Sequence, residues 1–328
     1  MAVAPTVEAI VQAAGEHVPE LMAALEKRLA ELATGHGDVL ARHGGETIAA
    51  GGKRLRPLLV FVAAGDPPPE SRGRLVSAAA AIELVHSATL VHDDVLDAAE
   101  LRRGRPTVAA SGGRAAATAT GDLLFSRAFA ELAAGGQADQ VRVLSAASTA
   151  LAEGELLQRA DAWDAGVSAE RYEHRCELKT ARLFQAACEL GALESAGGGP
   201  ELARGLGEFG RRIGLAFQLL DDVLDVSGPV ERTGKQRGAD LLDGTVTLPL
   251  ILARQRDREL AGLDLRSIAT TADAERLCAA IEASGALEEA RARAMEMVGA
   301  ARAQLPPLPS RQREALELIA AGVVDRYA

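Results

Sequence analysis

One pentapeptide occurs twice in this chain, as Asp93-Asp94-Val95-Leu96-Asp97 and as Asp221-Asp222-Val223-Leu224-Asp225. On a helix each residue turns by about 100°, so the three acids of each copy fall within an arc of roughly 100° on one face. Carboxylates crowded in this way repel one another unless a cation sits among them. Gly104-Arg105-Pro106 and Gly228-Pro229 are stop signals, which place both clusters in the last turns of helices starting near Ser71 and near Leu206. The helix dipole is negative at that end and disfavours anions. The pattern therefore asks twice for positive charge. Hard oxygen ligands with room for water and phosphate suit Mg²⁺ better than a soft or tetrahedral metal. A single such cluster reads more safely as a solvated acidic patch, but Leu90-Val91 and Leu219-Leu220 precede these two, and Val-Leu lies inside each.

The chain has 328 residues, 48% of them hydrophobic and only 3% aromatic. Alanine and leucine carry the apolar content and both favour helix. Strand signals are nearly absent, so the expected fold is all-α. No linker divides the sequence, which predicts one domain over residues 1–328. A net charge of −10 argues against a nucleic-acid surface. Cys176, Cys188 and Cys278 lack metal-ligand spacing and are expected to be small core residues, with a Cys176–Cys188 pairing left open. The N-terminus has no basic leader and no apolar run reaches the roughly 18 residues of a membrane span. These features predict a soluble, cytoplasmic protein without a transmembrane segment, one that can still touch a membrane transiently to release an apolar product.

Thr6 to about Leu32 reads as a helical pair or one bent helix around Pro19. Lys53-Arg54-Leu55-Arg56-Pro57 then opens an apolar helix, where backbone N–H groups and cations coincide; it is either a phosphate site or a solvated basic turn. Leu101-Arg102-Arg103-Gly104-Arg105-Pro106 brings three arginines beside the first acids, to grip diphosphate or to neutralise carboxylates. Glu153-Gly154-Glu155 with Gln158 lines a polar cavity or is ordinary surface. Lys179-Thr180 sits beside an apolar face. The polar, Gly-rich stretch Ser227–Asp240, with Lys235, is a lid over a charged ligand or a plain connection. Two acid clusters ringed by cations, with an apolar interior and no activated nucleophile, describe a site that draws diphosphate off carbon and keeps water from a carbocation.

These stretches, together with Gly51-Gly52, Glu83-Leu84-Val85-His86, Thr107, Gly121-Asp122, Phe217-Gln218 and Gly234-Lys235, resemble the trans-isoprenyl diphosphate synthases, the polyprenyl synthetases. The resemblance implies an isoprenoid-synthase-type helical bundle around a central cavity, a homodimer, and head-to-tail condensation of an allylic prenyl diphosphate with isopentenyl diphosphate. It implies Mg²⁺ on Asp93, Asp94, Asp97, Asp221 and Asp222, with Asp225 a further candidate. Arg102, Lys179 and Lys235 would hold the allylic diphosphate. Lys53, Arg56, His86 and Arg103 would hold isopentenyl diphosphate, although His86 by itself reads as a core histidine. Thr180 and Gln218 would border the reacting carbons, and the departing diphosphate would take the final proton. One departure is visible: many relatives carry a second lysine in a Gly-Lys-x-Thr stretch, where this chain has Gly244-Thr245-Val246-Thr247.

Stepping back by turns from Asp93 gives Thr89 and Ala88, then Val85, Ile82, Ala81 and Ala78, none of them aromatic. In the family, bulk at the first of these positions stops the chain short. The expected product is therefore longer than four isoprene units, unless Phe125, Phe129 or another helix forms the floor. A short-chain (farnesyl or geranylgeranyl) synthase is the main alternative; a class I terpene cyclase, which mixes Asn, Ser and Glu in its second metal motif, and a non-catalytic partner subunit, which can do without the acids, are further alternatives that two intact clusters disfavour.

Overall fold

The computed structural model describes residues 7–33, 37–228 and 237–325. The N-terminal pair is α1 (Val7–Ala14) and α2 (His17–Leu32). The break falls at Gly15, whose φ of 120° is closed to other residues, and Pro19 is taken up in the first turn of α2. After α3 (Asp38–Ala49), α4 (Leu55–Ala64) is buried from Pro57 to Ala64. The first acid helix is α5 (Arg72–Leu96), followed by α6 (Val108–Ala134) and α7 (Ala138–Ala160). Next come α8 (Ala169–Cys176), a π-helical turn (Glu177–Ala181) and α9 (Arg182–Leu193), which lead to the second acid helix, α10 (Pro200–Ser227). Helices continue through Ala286–Ala303 and Ser310–Asp325.

Among the described residues the expectation of an all-α chain holds apart from one feature. Residues 101–106 form a two-stranded antiparallel hairpin pairing Leu101 with Pro106 and Arg102 with Arg105. Its turn, Arg103-Gly104, has φ of 53° and 74°, the doubly positive pattern of a type I′ turn. With two residues per strand it is too short to leave an alternating signature.

Helix α5 lies along α6, α9 along α10, α4 on α9, and α10 on Ala286–Ala303. One connected apolar core runs from Ile10 to Val323. Ala78 to Ile82, Leu84, Val85 and Ala88 of α5 are all 0% exposed. With its preceding turn, the stretch Pro69–Leu96 is long and apolar enough to cross a membrane, contrary to the sequence reading. Two thirds of its most apolar window is buried inside the bundle, so it serves here as the core helix. Small residues let these helices approach closely: a Cβ on Gly210 of α10 would lie 2.5 Å from the Phe184 carbonyl oxygen of α9. All three cysteines are buried free thiols, which resolves the open pairing.

Candidate active site

The two acid clusters end α5 and α10: α10 starts at Pro200, earlier than the expected Leu206, and stops before Gly228 as predicted, whereas α5 ends at Leu96, well ahead of Gly104, which instead turns the hairpin. Within the first cluster, however, the acids part company. Asp94 is buried and accepts from Arg102 Nε at 2.8 Å. Exposed Asp97 pairs with Arg159 of α7. Asp93 is half-buried, and its carboxyl is pushed up to about 6, first by burial, with Glu155 and Asp97 adding and Lys179 opposing. The arginines of the hairpin and of α7 each pair with one of these carboxylates, offsetting their mutual repulsion. Arg102 therefore neutralises an acid, one of its two readings.

The π turn supplies the next layer. Such single-turn bulges recur at functional sites because they offset side chains from the helical ladder. Here the offset brings Lys179 Nζ to 2.5 Å from Glu155 Oε2 of α7 and within electrostatic reach of Asp93. Gly154 makes this approach possible, because a Cβ there would sit 2.5 Å from the Lys179 backbone nitrogen. Glu155 thus faces inward, whereas Glu153 is exposed. The neighbouring Thr180 points to the second cluster: its Oγ1 donates to Gln218 Oε1 at 2.7 Å, and Gln218 Nε2 donates to Asp222 Oδ1 at 2.7 Å. Tyr172 of α8 donates to Asp222 Oδ2 at 2.6 Å. Asp222 is buried, and its carboxyl rises to about 8 through burial and the nearby Asp240, against the pull of these donors. Asp225 Oδ2 accepts from the Asp240 backbone N–H at 3.3 Å. Asp221 is half-buried. Lys235 lies outside the described residues.

The basic stretch divides by residue. Arg54, in a left-handed conformation at the start of α4, is buried against Glu83 at 2.6 Å and Glu26 at 2.7 Å, so it belongs to the scaffold. Lys53 is exposed. Arg56 stacks on the Phe184 ring at 4.6 Å, burial lowers it to about 10, and its Nε is closed to solvent without a hydrogen-bond partner. That buried donor fits the oxygen of an anion. The Arg103 guanidinium lies against Gly52, 3.2 Å from where a Cβ would stand. His86 is kept neutral, held well below its ordinary 6.5 by burial and then by Arg56 and Arg103. Arg56 and Arg103 thus stand within electrostatic reach of His86 in one cationic recess, with Arg102 and Arg54 also in reach.

A depressed histidine has a defined signature in stability. The unfolded chain takes up the proton at about 6.5 and the native state only at lower pH, so stability present above about 6.5 is lost as pH falls below it. His86→Asn should flatten that limb: in denaturant melts the wild type should lose up to about 1.4 kcal/mol more per pH unit than the variant. Parallel acid limbs would place His86 outside the cationic recess.

The sequence model of the family described as Polyprenyl synthetase matches residues 38–283. The chain is 38% identical over 284 residues to the octaprenyl diphosphate synthase of Escherichia coli (strain K12), covering 85% of this chain and 87% of that protein. It is 38% identical over 276 residues to heptaprenyl diphosphate synthase component 2 of Geobacillus stearothermophilus, covering 82% and 85%. The fold matches the polyprenyl synthase of Caulobacter crescentus CB15, solved with calcium and isoprenyl diphosphate, at TM-score 0.91 and 36% identity over the whole of both chains. This chain belongs to the polyprenyl synthetase family. Product length varies among its relatives, since a short-chain isoprenyl diphosphate synthase of Methanothermobacter thermautotrophicus is 37% identical over 88% of this chain and 91% of that protein.

Members of the polyprenyl synthetase family generally act with a divalent metal. Among the described residues, no three His, Cys, Asp or Glu side chains stand together as a ready cage. That donor set still fits Mg²⁺, which keeps several waters and binds through one or two carboxylates plus substrate phosphate oxygens. Sequence reasoning missed Arg159, Tyr172 and Asp240. None has a local signal, because each meets its acid across a tertiary contact, Arg159 from 62 residues away and Tyr172 from 50.

Proposed function

We propose that this synthetase condenses an allylic prenyl diphosphate with isopentenyl diphosphate, head to tail, to an all-trans product above C20, as a Mg²⁺-dependent homodimer. The observation that carries this reading is the π turn, which aims Lys179 at the first acid cluster and ties Thr180, through Gln218, to the second. Asp93, Asp94, Asp97, Asp221 and Asp222, with Asp225 a further candidate, are the acids that would hold the metal, and protein donors already orient Asp94 and Asp222. Bound Mg²⁺ would neutralise the diphosphate and stabilise charge on it as it leaves.

The chain's own groups do the rest. Lys179 changes partner from Glu155 to the allylic diphosphate, with Arg102 and Lys235 contributing further positive charge. Lys53, Arg56, His86 and Arg103 hold the second diphosphate, so the double bond of isopentenyl diphosphate meets the allylic carbon. Thr180 and Gln218 present oxygens beside that carbon. The proton lost after C–C bond formation goes to the departing diphosphate. The α5 residues that step back from Asp93, Ala88, Val85, Ile82, Ala81 and Ala78, keep water away from the cation and, lacking aromatic bulk, let the chain lengthen. Names of long-chain relatives support that length, while the short-chain relative shows that overall identity does not set it.

The test is incubation of purified protein with isopentenyl diphosphate and dimethylallyl, geranyl, farnesyl or geranylgeranyl diphosphate. Elongation should require Mg²⁺ and stop with EDTA. In calorimetry Mg²⁺ alone should bind weakly, and inorganic pyrophosphate should strengthen it by at least about 10-fold, because phosphate oxygens complete the coordination. Folded protein that elongates no primer would overturn the assignment.

A further inference from the structure

Tyr172 lies on α8, on neither acid helix, and is 0% exposed. A buried phenol needs a hydrogen-bond partner, and a backbone carbonyl is the undemanding choice. This one is directed instead to Asp222 Oδ2, at 2.6 Å. The other oxygen accepts from Gln218 at 2.7 Å, and Gln218 accepts from Thr180 at 2.7 Å. Gln218 uses its amide N–H on the carboxylate, so its carbonyl oxygen must face Thr180, and the orientation of the amide is fixed. The ring is itself held: Arg175 lies over it at 5.4 Å, bonded to Asp161 at 3.2 Å and to the Val246 carbonyl at 2.6 Å. The hydroxyl therefore stands at the end of a directional chain running Tyr172–Asp222–Gln218–Thr180, anchored outside both acid helices.

We infer that Tyr172 is a positioning residue of the condensation: its hydroxyl sets the Asp222 carboxylate and, through Gln218 and Thr180, the oxygens beside the allylic carbon. The inference rests on the proposed diphosphate chemistry of this site. Partners that orient an acidic ligand typically change metal affinity by about 10- to 100-fold when removed. The same chain predicts a kinetic split, since the cationic recess of Arg56, His86 and Arg103 includes none of its members.

The test compares wild type with Tyr172→Phe. Binding of Mg²⁺ together with inorganic pyrophosphate should weaken by about 10-fold in calorimetry. Turnover should fall, and KM for isopentenyl diphosphate should stay within about two-fold, as expected for a group acting on the transition state at the other subsite. A second arm leaves Tyr172 in place. The chain has two tyrosines, so fluorotyrosine incorporated into Tyr327→Phe labels Tyr172 alone, and its fluorine resonance should shift when Mg²⁺ and pyrophosphate are added. If Tyr172→Phe does not fold, this arm decides. Unchanged binding and turnover in the variant, or a resonance that ignores Mg²⁺ and pyrophosphate while wild type binds them, overturns the inference. Wild type that binds no Mg²⁺ with pyrophosphate fails the diphosphate reading itself, an outcome distinct from any defect of the variant.

Discussion

Asp93→Asn should lower turnover by about 1,000-fold, the scale of losing one preorganised charge-stabilising group, in a protein at least as stable as wild type. The two halves of this result have one cause. Asp93 is half-buried beside Glu155 and Asp97, and burial holds its carboxyl at about 6 against an ordinary 3.8. An acid whose folded value is raised is carried in the native state at a cost that grows as pH rises from 3.8 and is complete above about 6. Replacing it with a neutral isostere removes that cost, worth about 1–3 kcal/mol at pH 8 from a shift of this size. The same change removes the carboxylate that faces Lys179 and would face the metal. Stability curves at pH 5 and pH 8, set beside steady-state rates, read both effects. Loss of activity together with loss of stability at pH 8 would mean that Asp93 supports the fold and not the chemistry.

Gly154→Ala should cost about 100-fold in kcat/KM for the allylic primer, through geometry alone. The added Cβ would lie 2.5 Å from the Lys179 nitrogen and 2.8 Å from its Cα, both backbone atoms that cannot swing aside. Helix α7 and the π turn must separate, and a displacement of about 1 Å at a catalytic group can cost 100-fold. Stability should move less. Overpacking costs about 1–3 kcal/mol, and replacing glycine with alanine inside a helix returns up to about 1 kcal/mol. The defect should fall on the allylic side, leaving KM for isopentenyl diphosphate near wild type. Equal losses for both substrates would show that the whole bundle had shifted.

The parts of the site that sequence revealed are those written in local pattern. The repeated pentapeptide, the glycine and proline stops behind it, and Lys179-Thr180 all signal within one helical turn, and the structure puts them at helix ends around one turn of chain. What stayed hidden depends on contacts across the bundle. Arg102 reads equally as a diphosphate ligand or a counter-ion until Asp94 is seen 2.8 Å from it. The basic run 53–56 cannot be divided from sequence, because Glu83 and Glu26, which claim Arg54, lie 29 and 28 residues away. The hairpin at 101–106 has too few residues for strand periodicity, and the π turn leaves no compositional mark. Helix periodicity put three acids in one helical turn, but it could not foresee that Arg102 and Arg159 would pair with two of them.

Product length tests the central claim most directly, because it reads the reaction and the apolar wall together. Wild-type protein, Mg²⁺, farnesyl diphosphate and excess isopentenyl diphosphate should give, by mass spectrometry, an all-trans ladder that passes C20 and ends on a longer prenyl diphosphate. A ladder that stops at C15 or C20 would contradict the reading of Ala78, Ala81, Ile82, Val85, Ala88 and Thr89 as a wall without a bulky stop, and hydrocarbon or alcohol products in place of prenyl diphosphates would contradict the condensation itself.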